Sequence, residues 1–297
     1  MNTSILPVCD HPSILGEGPV WDPEKQAILW VDIVSCCIHE YNFGRESLHT
    51  IPTVSMPGAI ALRENGHLVA ALQNGFAFIN RFTGQQHLIH DPEVHIPTNR
   101  FNDGKCDPFG RFWAGSMSLN EKDPSGSMYL LDSHLQPKAM FHGATISNGL
   151  CWTPDCRFMY YIDTPTLRVD RFDVVPESGQ LSNRTTVIRI AEKEGFPDGM
   201  TIDAEGMLWI AHWGGWQITR WNPLTGEQLT SIHLPASQIT SLCFGGEKLD
   251  EIYVTSARRG LDEVQLSEEP WAGCTFLVRN SGFTGLPANI FNHATHI

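Results

Sequence analysis

One pattern recurs six times along the 297-residue chain and constrains its fold more than any other feature. Each unit has a polar or Gly-rich position, a short apolar run, a turn, a second apolar run that ends in small residues, and a third run that carries aromatic residues. The middle turns are rich in Gly, Pro and Asp, which supply the dihedral angles of a tight reversal. These turns are Asp22-Pro-Glu-Lys-Gln, Arg63-Glu-Asn-Gly-His, Asp107-Pro-Phe-Gly-Arg, Thr153-Pro-Asp-Cys-Arg, Asp203-Ala-Glu-Gly-Met and Gly245-Gly-Glu-Lys-Leu.

The runs that follow these turns have the composition of β-strands. Ile28-Leu-Trp-Val-Asp and Met207-Leu-Trp-Ile-Ala, for example, are rich in β-branched and aromatic residues. Taking the residue before the first run of each unit as its anchor, the anchors lie 40 to 50 positions apart. They are Glu17, Pro57, Asn102, Asn148, Asp198 and Thr240. That period, with short strands and frequent turns, is typical of a β-propeller, whereas helical repeats would need longer amphipathic runs.

The sequence therefore predicts an all-β fold, a six-bladed β-propeller that forms a single closed domain over residues 1–297. Strands at the two ends of the chain, around Ile5-Leu-Pro-Val and Ala288-Asn-Ile-Phe, are expected to complete the outer edge of one blade. Such pairing would close the ring and remove exposed strand edges.

Composition narrows the classes of partner and compartment. The formal net charge of −13 disfavours nucleic acids and anionic membranes as partners. No apolar run is long enough to span a bilayer, and the N-terminus lacks the basic start and apolar core of a signal peptide. We expect a soluble, cytoplasmic protein, monomeric by default, whose eight cysteines are reduced and mostly buried.

Four anchors carry oxygen donors that the fold would bring together. The first strand of each propeller blade lies nearest the central axis, so equivalent residues form a ring around one mouth of the channel. Glu17, Asn102, Asn148 and Asp198 would then supply two carboxylates and one or two amide oxygens, a set suited to a hard divalent cation such as Ca²⁺, Mg²⁺ or Mn²⁺. Each residue alone would be better explained as a turn cap. Three of the four precede a glycine, which permits close backbone approach and favours a site.

Four long motifs, in order, resemble those of the regucalcin/gluconolactonase (senescence marker protein) family. They are Leu15-Gly-Glu-Gly-Pro-Val-Trp, Asn99-Arg-Phe-Asn-Asp-Gly-Lys-Cys-Asp-Pro-Phe-Gly-Arg-Phe-Trp-Ala-Gly-Ser-Met, Ser147-Asn-Gly-Leu-Cys-Trp-Thr-Pro-Asp and Phe196-Pro-Asp-Gly-Met. The resemblance runs from about Ile14 to about Arg279. It implies a six-bladed propeller with one divalent metal cation (Ca, Mg, Mn, Zn or Fe) at the channel mouth, in a family many of whose members hydrolyse sugar lactones.

The resemblance also implies roles for individual residues. By position, Glu17, Asn148 and Asp198 match the metal ligands of the family. Arg100 and Asn102 match its substrate-contacting pair, and whether Asn102 also binds the metal stays open. Regucalcin has a substrate-contacting Glu shortly after a Gly-Thr-Met segment, and here the aligned position is Asn120, directly before Glu121.

A further segment, Ala211-His-Trp-Gly-Gly-Trp, resembles bacterial sugar-acid lactonases more than animal regucalcin. Its His212 follows a strand-like run near the expected channel, and a packed, hydrogen-bonded histidine is the favoured interpretation. The other histidines form neither His-x-His nor His-Glu-x-x-His, which disfavours a zinc protease.

The predicted function is a metal-dependent hydrolase that opens a sugar lactone, an aldonolactone such as glucono-, xylono- or arabinonolactone. A divalent metal would polarise the lactone carbonyl, and Asp198 would act as general base toward the attacking water. Arg100, Asn102 and Asn120 would bind the substrate. Two alternatives stay open, namely an organophosphate or aryl-ester hydrolase on the same scaffold, and a calcium-binding propeller without enzymatic activity.

Overall fold

The computed structural model contains six four-stranded antiparallel sheets, each a blade of a β-propeller. It describes residues 3–292, so residues 1–2 and 293–297 of the predicted domain lie outside the described residues. Five blades use four consecutive strands, and the inner strands of neighbouring blades pack against one another around the channel. The prediction of an all-β, six-bladed propeller is confirmed.

The chain begins with one short strand and then forms blades 1 to 3. Their strands are β1 (Ser4–Pro7), followed by β2 (Gly16–Asp22), β3 (Ala27–Asp32), β4 (Cys37–Asn42) and β5 (Ser47–Pro52) in blade 1, β6 (Pro57–Leu62), β7 (Leu68–Leu72), β8 (Gly75–Ile79) and β9 (Gln86–His90) in blade 2, and β10 (Asn99–Cys106), β11 (Phe112–Ser118), β12 (Gly126–Leu131) and β13 (Lys138–Ala144) in blade 3.

Blades 4 to 6 repeat this arrangement, with short helices in their loops. Their strands are β14 (Ser147–Trp152), β15 (Phe158–Asp163), β16 (Arg168–Val174) and β17 (Leu181–Arg189) in blade 4, β18 (Phe196–Ile202), β19 (Leu208–Trp213), β20 (Gln217–Asn222) and β21 (Glu227–His233) in blade 5, and β22 (Ile239–Gly245), β23 (Glu251–Ser256) and β24 (Phe276–Arg279) in blade 6. The helices are two 3₁₀ turns (Thr164–Thr166 and Glu192–Glu194) and α1 (Glu263–Glu268). Across residues 3–292, no helix has the length and apolar character to cross a bilayer.

The N-terminal strand closes the ring. β1 pairs antiparallel with β24, with Ser4 opposite Arg279 and Pro7 opposite Phe276, and so becomes the fourth strand of blade 6. The prediction for the N-terminal segment is therefore confirmed. Blade 6 contains strands from both ends of the chain, which fixes blade 1 beside it.

The prediction that Ala288-Asn-Ile-Phe adds a strand to the same edge is wrong. β1 already occupies the outer edge of blade 6, and the C-terminal segment instead crosses the opposite mouth of the channel, where Leu286 and Asn289 line a cavity. The Asn289 amide donates a hydrogen bond to the carbonyl oxygen of Cys106. Phe291 is fully buried in the hydrophobic cluster between blades 2 and 3, and burial of this ring holds the segment there.

Tryptophans at equivalent places pack the blades together. Trp30, Trp113 and Trp209 lie on β3, β11 and β19, the second strands of blades 1, 3 and 5, and all three are fully buried. Their indole N–H groups donate to Ser13 Oγ (3.1 Å), Asp107 Oδ2 (2.8 Å) and Asp203 Oδ2 (3.0 Å), respectively. These rings therefore form part of the core, and the hydrogen bonds offset the cost of burying their polar edge.

A β-bulge interrupts the inner strand of every blade at or beside its anchor. The register with the second strand shifts between Glu17 and Val20, Pro57 and Ala59, Phe101 and Gly104, Ser147 and Leu150, Pro197 and Met200, and Ile239 and Ser241. A bulge bends the strand and redirects a side chain. The sequence suggested that the anchors precede the first strands, but the structure places them within those strands. The bulges turn the anchor side chains toward the channel mouth.

A buried ion-pair network joins blade 1 to blade 2. The fully buried Arg81 side chain, which follows β8, contacts Asp22 Oδ2 through Nη1 and Glu40 Oε2 through Nε (2.5 Å for the latter). We expect Arg81→Met to lower the free energy of unfolding by about 3–5 kcal/mol, because it leaves two largely buried carboxylates without their cation. Denaturant unfolding measures this change.

The matched control is the exposed pair Arg157–Asp155, in which the two side chains retain 70% and 47% of their accessible surface. Arg157→Met should change the unfolding free energy by about 0–1 kcal/mol. Equal losses for the two variants would contradict the assignment of Arg81 as an inter-blade clamp.

Candidate functional site

The four oxygen-donor anchors meet in one cavity of about 270 Å³ at the channel mouth. They arrive on β2, β10, β14 and β18, the inner strands of blades 1, 3, 4 and 5. The cavity wall consists of Leu15, Glu17, Arg100, Asn102, Met117, Glu121, Ile146, Asn148, Thr164, Pro165, Phe196, Asp198, Trp213 and Arg259. The predicted convergence of Glu17, Asn102, Asn148 and Asp198 is thus observed, and Arg100 lies with them.

A chain of hydrogen bonds orients the two anchor amides. Asn148 donates from Nδ2 to Thr164 Oγ1 (2.8 Å), and that hydroxyl donates to the carbonyl oxygen of Pro197 (2.8 Å). Asn102 donates from Nδ2 to the Ser147 carbonyl oxygen (2.8 Å) and to Asn148 Oδ1 (3.1 Å). The Asn148 nitrogen is therefore occupied by the wall, and its oxygen is the atom presented toward the other anchors.

The two anchor carboxylates are buried side by side. Glu17 and Asp198 retain 6% and 4% of their accessible surface, and the two groups are close enough to hydrogen-bond when one carries a proton. Burial raises the pKa of both above the usual carboxyl range, and nearby Asp103 raises the pKa of each further. Asp198 Oδ1 is buried and has no hydrogen-bond partner among residues 3–292. Two carboxylates in this position are unfavourable unless a cation or a proton joins them.

This donor set fits a hard divalent cation. It offers the carboxylates of Glu17 and Asp198 and the amide oxygen of Asn148, and the unpartnered Asp198 Oδ1 is an oxygen that a cation would satisfy. Glu17 is itself oriented, because its Oε2 accepts a hydrogen bond from the Gly18 backbone N–H (3.1 Å). Within residues 3–292, no group of three or more His, Cys, Asp or Glu side chains could hold a metal. The oxygens that this set offers are carboxylate and amide oxygens, which suit Ca²⁺, Mg²⁺ or Mn²⁺ better than a metal that prefers thiolate ligands.

Arg100 brings a buried positive charge to the same wall. Its side chain is 5% exposed, and Nη1 donates to Asn102 Oδ1 (2.7 Å) and to the Phe101 carbonyl oxygen (3.0 Å). Burial, followed by repulsion from Arg259, lowers the pKa of Arg100 to about 10, so the group stays charged at neutral pH. The bond to Arg100 fixes the side-chain oxygen of Asn102 beside this positive charge, which is consistent with the substrate-contacting role that the resemblance implies.

The structure does not bring Asn120 into the cavity. Its side chain is exposed, and Oδ1 accepts from the backbone N–H groups of Lys122 (2.9 Å) and Asp123 (3.1 Å), closing an Asx turn after β11. Its neighbour Glu121 lines the cavity instead, at a left-handed φ of 60° that turns its side chain back to the mouth. The predicted substrate-contacting residue Asn120 therefore lies outside the cavity wall, and the adjacent Glu121 lies in it.

Two further cavity residues, Thr164 and Arg259, were missed from the sequence. Thr164 begins the 3₁₀ turn after β15 and holds Asn148. Arg259 lies in the loop after β23 and forms an ion pair with Glu121 (Nη2 to Oε1, 2.5 Å). Arg259 could have been found from its position in the repeat. The doublet Arg258-Arg259 follows the second strand of the sixth unit, and the equivalent loops of other units reach the channel mouth.

His212 belongs to the packing beneath the site. It is fully buried, its Nε2 lies 2.6 Å from Thr219 Oγ1, and burial lowers the pKa of the imidazole to about 4. The wall of the described cavity includes the next residue, Trp213, but not His212. The histidine is thus packed and hydrogen-bonded, as expected.

Metal binding should depend on Glu17. We expect Glu17→Gln to weaken the binding of a divalent cation by roughly 10–100-fold, because it removes one of the two negative charges while preserving shape. Isothermal titration with Ca²⁺ and Mn²⁺ measures the change, and Glu177→Gln, at an exposed glutamate, is the control. Wild-type affinity in Glu17→Gln would remove this residue from the ligand set.

Comparison with known proteins agrees with this geometry. Residues 15–258 match the family model described as "SMP-30/Gluconolactonase/LRE-like region". The chain is 39% identical to regucalcin of Danio rerio over 276 residues, which is 92% of this chain and 93% of that protein. It is 35% identical to YvrE of Bacillus subtilis (strain 168), whose name assigns it provisionally to the sugar lactone lactonases, covering 90% of this chain and 91% of that one. These identities give no support to the predicted closer relation to bacterial lactonases.

Among solved structures, a calcium-binding regucalcin of Agrobacterium tumefaciens str. C58 superposes with a TM-score of 0.91 at 27% identity, over 96% of both chains. The family model covers most of this chain, the relatives match nearly their whole length, and the motifs that carry the four anchors and Arg100 lie within the matched region. On these grounds the chain belongs to the SMP-30/gluconolactonase/regucalcin family.

Proposed function

We propose that this protein is a metal-dependent hydrolase that opens sugar lactones, with an aldonolactone as substrate. The observation that carries the proposal is the convergence of Glu17, Asn148 and Asp198 on one cavity that also contains the buried cation Arg100. Membership of a family that is named for gluconolactonase, and a relative named for sugar lactone lactonase activity, support it.

Glu17, Asn148 and Asp198 would hold the divalent cation. When bound, such an ion supplies a Lewis acid that polarises a carbonyl oxygen and lowers the pKa of a coordinated water. The chain contributes the fixed geometry, because Gly18 orients Glu17 and Thr164 orients Asn148 before any ligand arrives. Preorganisation of this kind avoids reordering the donors during the reaction.

The rest of the wall would bind the sugar ring. Arg100 is held through Nη1 alone among the hydrogen bonds of the described residues, so its other guanidinium nitrogens can donate to hydroxyl or lactone oxygens. Glu121 can accept from hydroxyls on the other side of the mouth. Leu15, Ile146 and Trp213 offer apolar surface for the C–H faces of the ring. This mixture favours a polyhydroxylated lactone over an aryl ester.

Asp198 would be the general base. One of its carboxylate oxygens would hold the cation, and the other would take a proton from the water that attacks the lactone carbonyl carbon. A new carbon–oxygen bond forms to that water, the acyl bond to the ring oxygen breaks, and the proton returns to the ring oxygen as it becomes a hydroxyl. The product is the open sugar acid. The buried setting of Asp198 keeps this oxygen from being solvated by bulk water.

Substitution of Asp198 separates catalysis from binding. We expect Asp198→Asn to lower kcat for D-glucono-1,5-lactone by roughly 10²–10⁴-fold, because the amide cannot accept the proton. Asp198→Asn should weaken metal binding no more than Glu17→Gln does, because one negative charge is lost while an amide oxygen still occupies the ligand position, so the rates are compared at saturating metal. A pH-indicator assay, corrected for spontaneous hydrolysis, gives the rate, and titration calorimetry gives the affinity.

The control is Asp173→Asn, at an aspartate on the outer half of blade 4. Near wild-type kcat in Asp198→Asn would contradict the assignment of the base. Metal binding by the wild-type protein without hydrolysis of any lactone would contradict the lactonase proposal. That result would favour the alternative of a calcium-binding propeller without enzymatic activity.

A further inference from the structure

Arg259 adds to the cavity a second guanidinium that the proposed chemistry does not use. It lies at the rim, with 39% of its side-chain surface exposed, and its Nη2 contacts Glu121 Oε1 at 2.5 Å. The two residues are 138 positions apart in sequence and lie on loops of blades 6 and 3. The ion pair therefore joins two loops at the mouth where a substrate would enter.

The backbone fixes the position of Arg259. The N–H groups of Arg258 and Arg259 both donate to the carbonyl oxygen of Ile14 (3.0 and 2.9 Å), and Ala257 bridges to Leu15. The following Gly260 turns the chain with a φ of 84°. The loop is thus attached to blade 1 next to the strand that carries Glu17. A side chain on such a support is well placed for specific recognition.

Arg100 and Arg259 are near enough to act on each other. Repulsion from Arg259 is, after burial, the largest cause that lowers the pKa of Arg100, and Glu121 opposes it. Glu121 therefore shares its negative charge between two arginines. Because Glu121 is 41% exposed, water screens part of that compensation.

The charges of the wall sum to an excess of positive charge once a cation is held. The lining residues include three carboxylates, Glu17, Glu121 and Asp198, and two guanidinium groups, Arg100 and Arg259. That gives a formal charge of −1 from the chain, and a divalent ion changes it to +1. Asp103 lines the opposite cavity and also acts on Glu17 and Asp198, and its own charge is compensated by Lys105 beside it. A neutral lactone leaves this positive charge uncompensated, whereas a lactone with a free carboxylate would balance it.

We propose that Arg259 is a specificity-determining residue that selects lactones carrying a free carboxylate, namely the monolactones of sugar diacids. The inference rests on the proposed lactonase function and names its substrate class. The planar fork of arginine matches a carboxylate with two parallel hydrogen bonds. Arg259 already holds a carboxylate, that of Glu121, through Nη2, and the substrate carboxylate takes up its remaining donors.

Two lactones with the same ring test this inference. D-Glucaro-1,4-lactone differs from D-glucono-1,4-lactone only in carrying a carboxylate where the latter has a hydroxymethyl group. The wild-type protein should have the higher kcat/KM for the glucaro compound. Arg259→Gln should lower that kcat/KM by roughly tenfold or more, chiefly through KM, and should leave the glucono value within roughly threefold. Added salt should raise the wild-type KM for the glucaro compound alone.

Controls separate recognition from a structural role. Arg258→Gln changes the exposed neighbour of Arg259, which is not part of the cavity wall. This variant should leave kcat/KM unchanged for both lactones. If Arg259 merely supports Glu121, Arg259→Gln will impair both lactones equally, which would overturn the proposal. A higher wild-type kcat/KM for the neutral lactone would overturn it as well. Glu121→Gln should raise the glucaro-to-glucono ratio, because it removes the competing carboxylate.

A binding measurement tests carboxylate recognition by Arg259 independently of catalysis. Calorimetry of the Ca²⁺-saturated protein with D-glucarate, the diacid itself, should show affinity that Arg259→Gln reduces by roughly tenfold and Arg258→Gln leaves unchanged. If the protein hydrolyses neither lactone but binds D-glucarate in an Arg259-dependent way, the lactonase proposal is refuted and the anion site is supported. Hydrolysis of both lactones, with binding that is insensitive to Arg259, would refute the anion site alone.

Discussion

Two carboxylates buried side by side are the constraint on which the candidate site depends. Glu17 and Asp198 belong to blades 1 and 5, and nothing in the packing of either blade alone requires an acid at that position. Their closeness exists only because the ring closes, with β1 completing blade 6 and holding blade 1 beside it. Ring closure therefore places like charges together in a largely dry cavity, an arrangement that favours a cation.

The inner-strand bulges explain how a regular sheet supplies an irregular set of ligands. A side chain on a regular strand points to one face of its blade, toward the neighbouring blade. At the bulges the inner strands bend, and Asn102, Asn148 and Asp198 turn toward the axis instead. The same device recurs where the anchor is Pro57 or Thr240, so the fold provides six positions and the sequence places donors at four. Thr240 uses its hydroxyl to hold the Gly16 carbonyl oxygen (2.6 Å), next to Glu17.

Periodicity was enough to predict the propeller, because each unit repeats its turn and strand composition within one blade. The convergence of Glu17, Asn102, Asn148 and Asp198 on one cavity could also be predicted, since they occupy equivalent positions of those units. Residues in the loops between strands could not be placed in this way. Asn120 was predicted to face the cavity and Glu121 does so instead, because a left-handed turn, which spacing does not show, reverses the chain after Asn120. Arg259 was not predicted, because its contact in the cavity is with Glu121, 138 positions away in the sequence. The path of the C-terminal segment depends on the burial of Phe291 between distant blades.

The most direct test of this account is lactone hydrolysis by metal-stripped protein. The protein would be treated with a chelator, freed of it by dialysis, checked for residual metal, and assayed with D-glucono-1,5-lactone before and after adding Ca²⁺, Mg²⁺, Mn²⁺ or Zn²⁺. The account predicts that hydrolysis falls to the spontaneous rate and returns with one bound ion per chain, whereas Glu17→Gln requires more metal for the same recovery. Full hydrolysis by protein shown to be free of metal would contradict it.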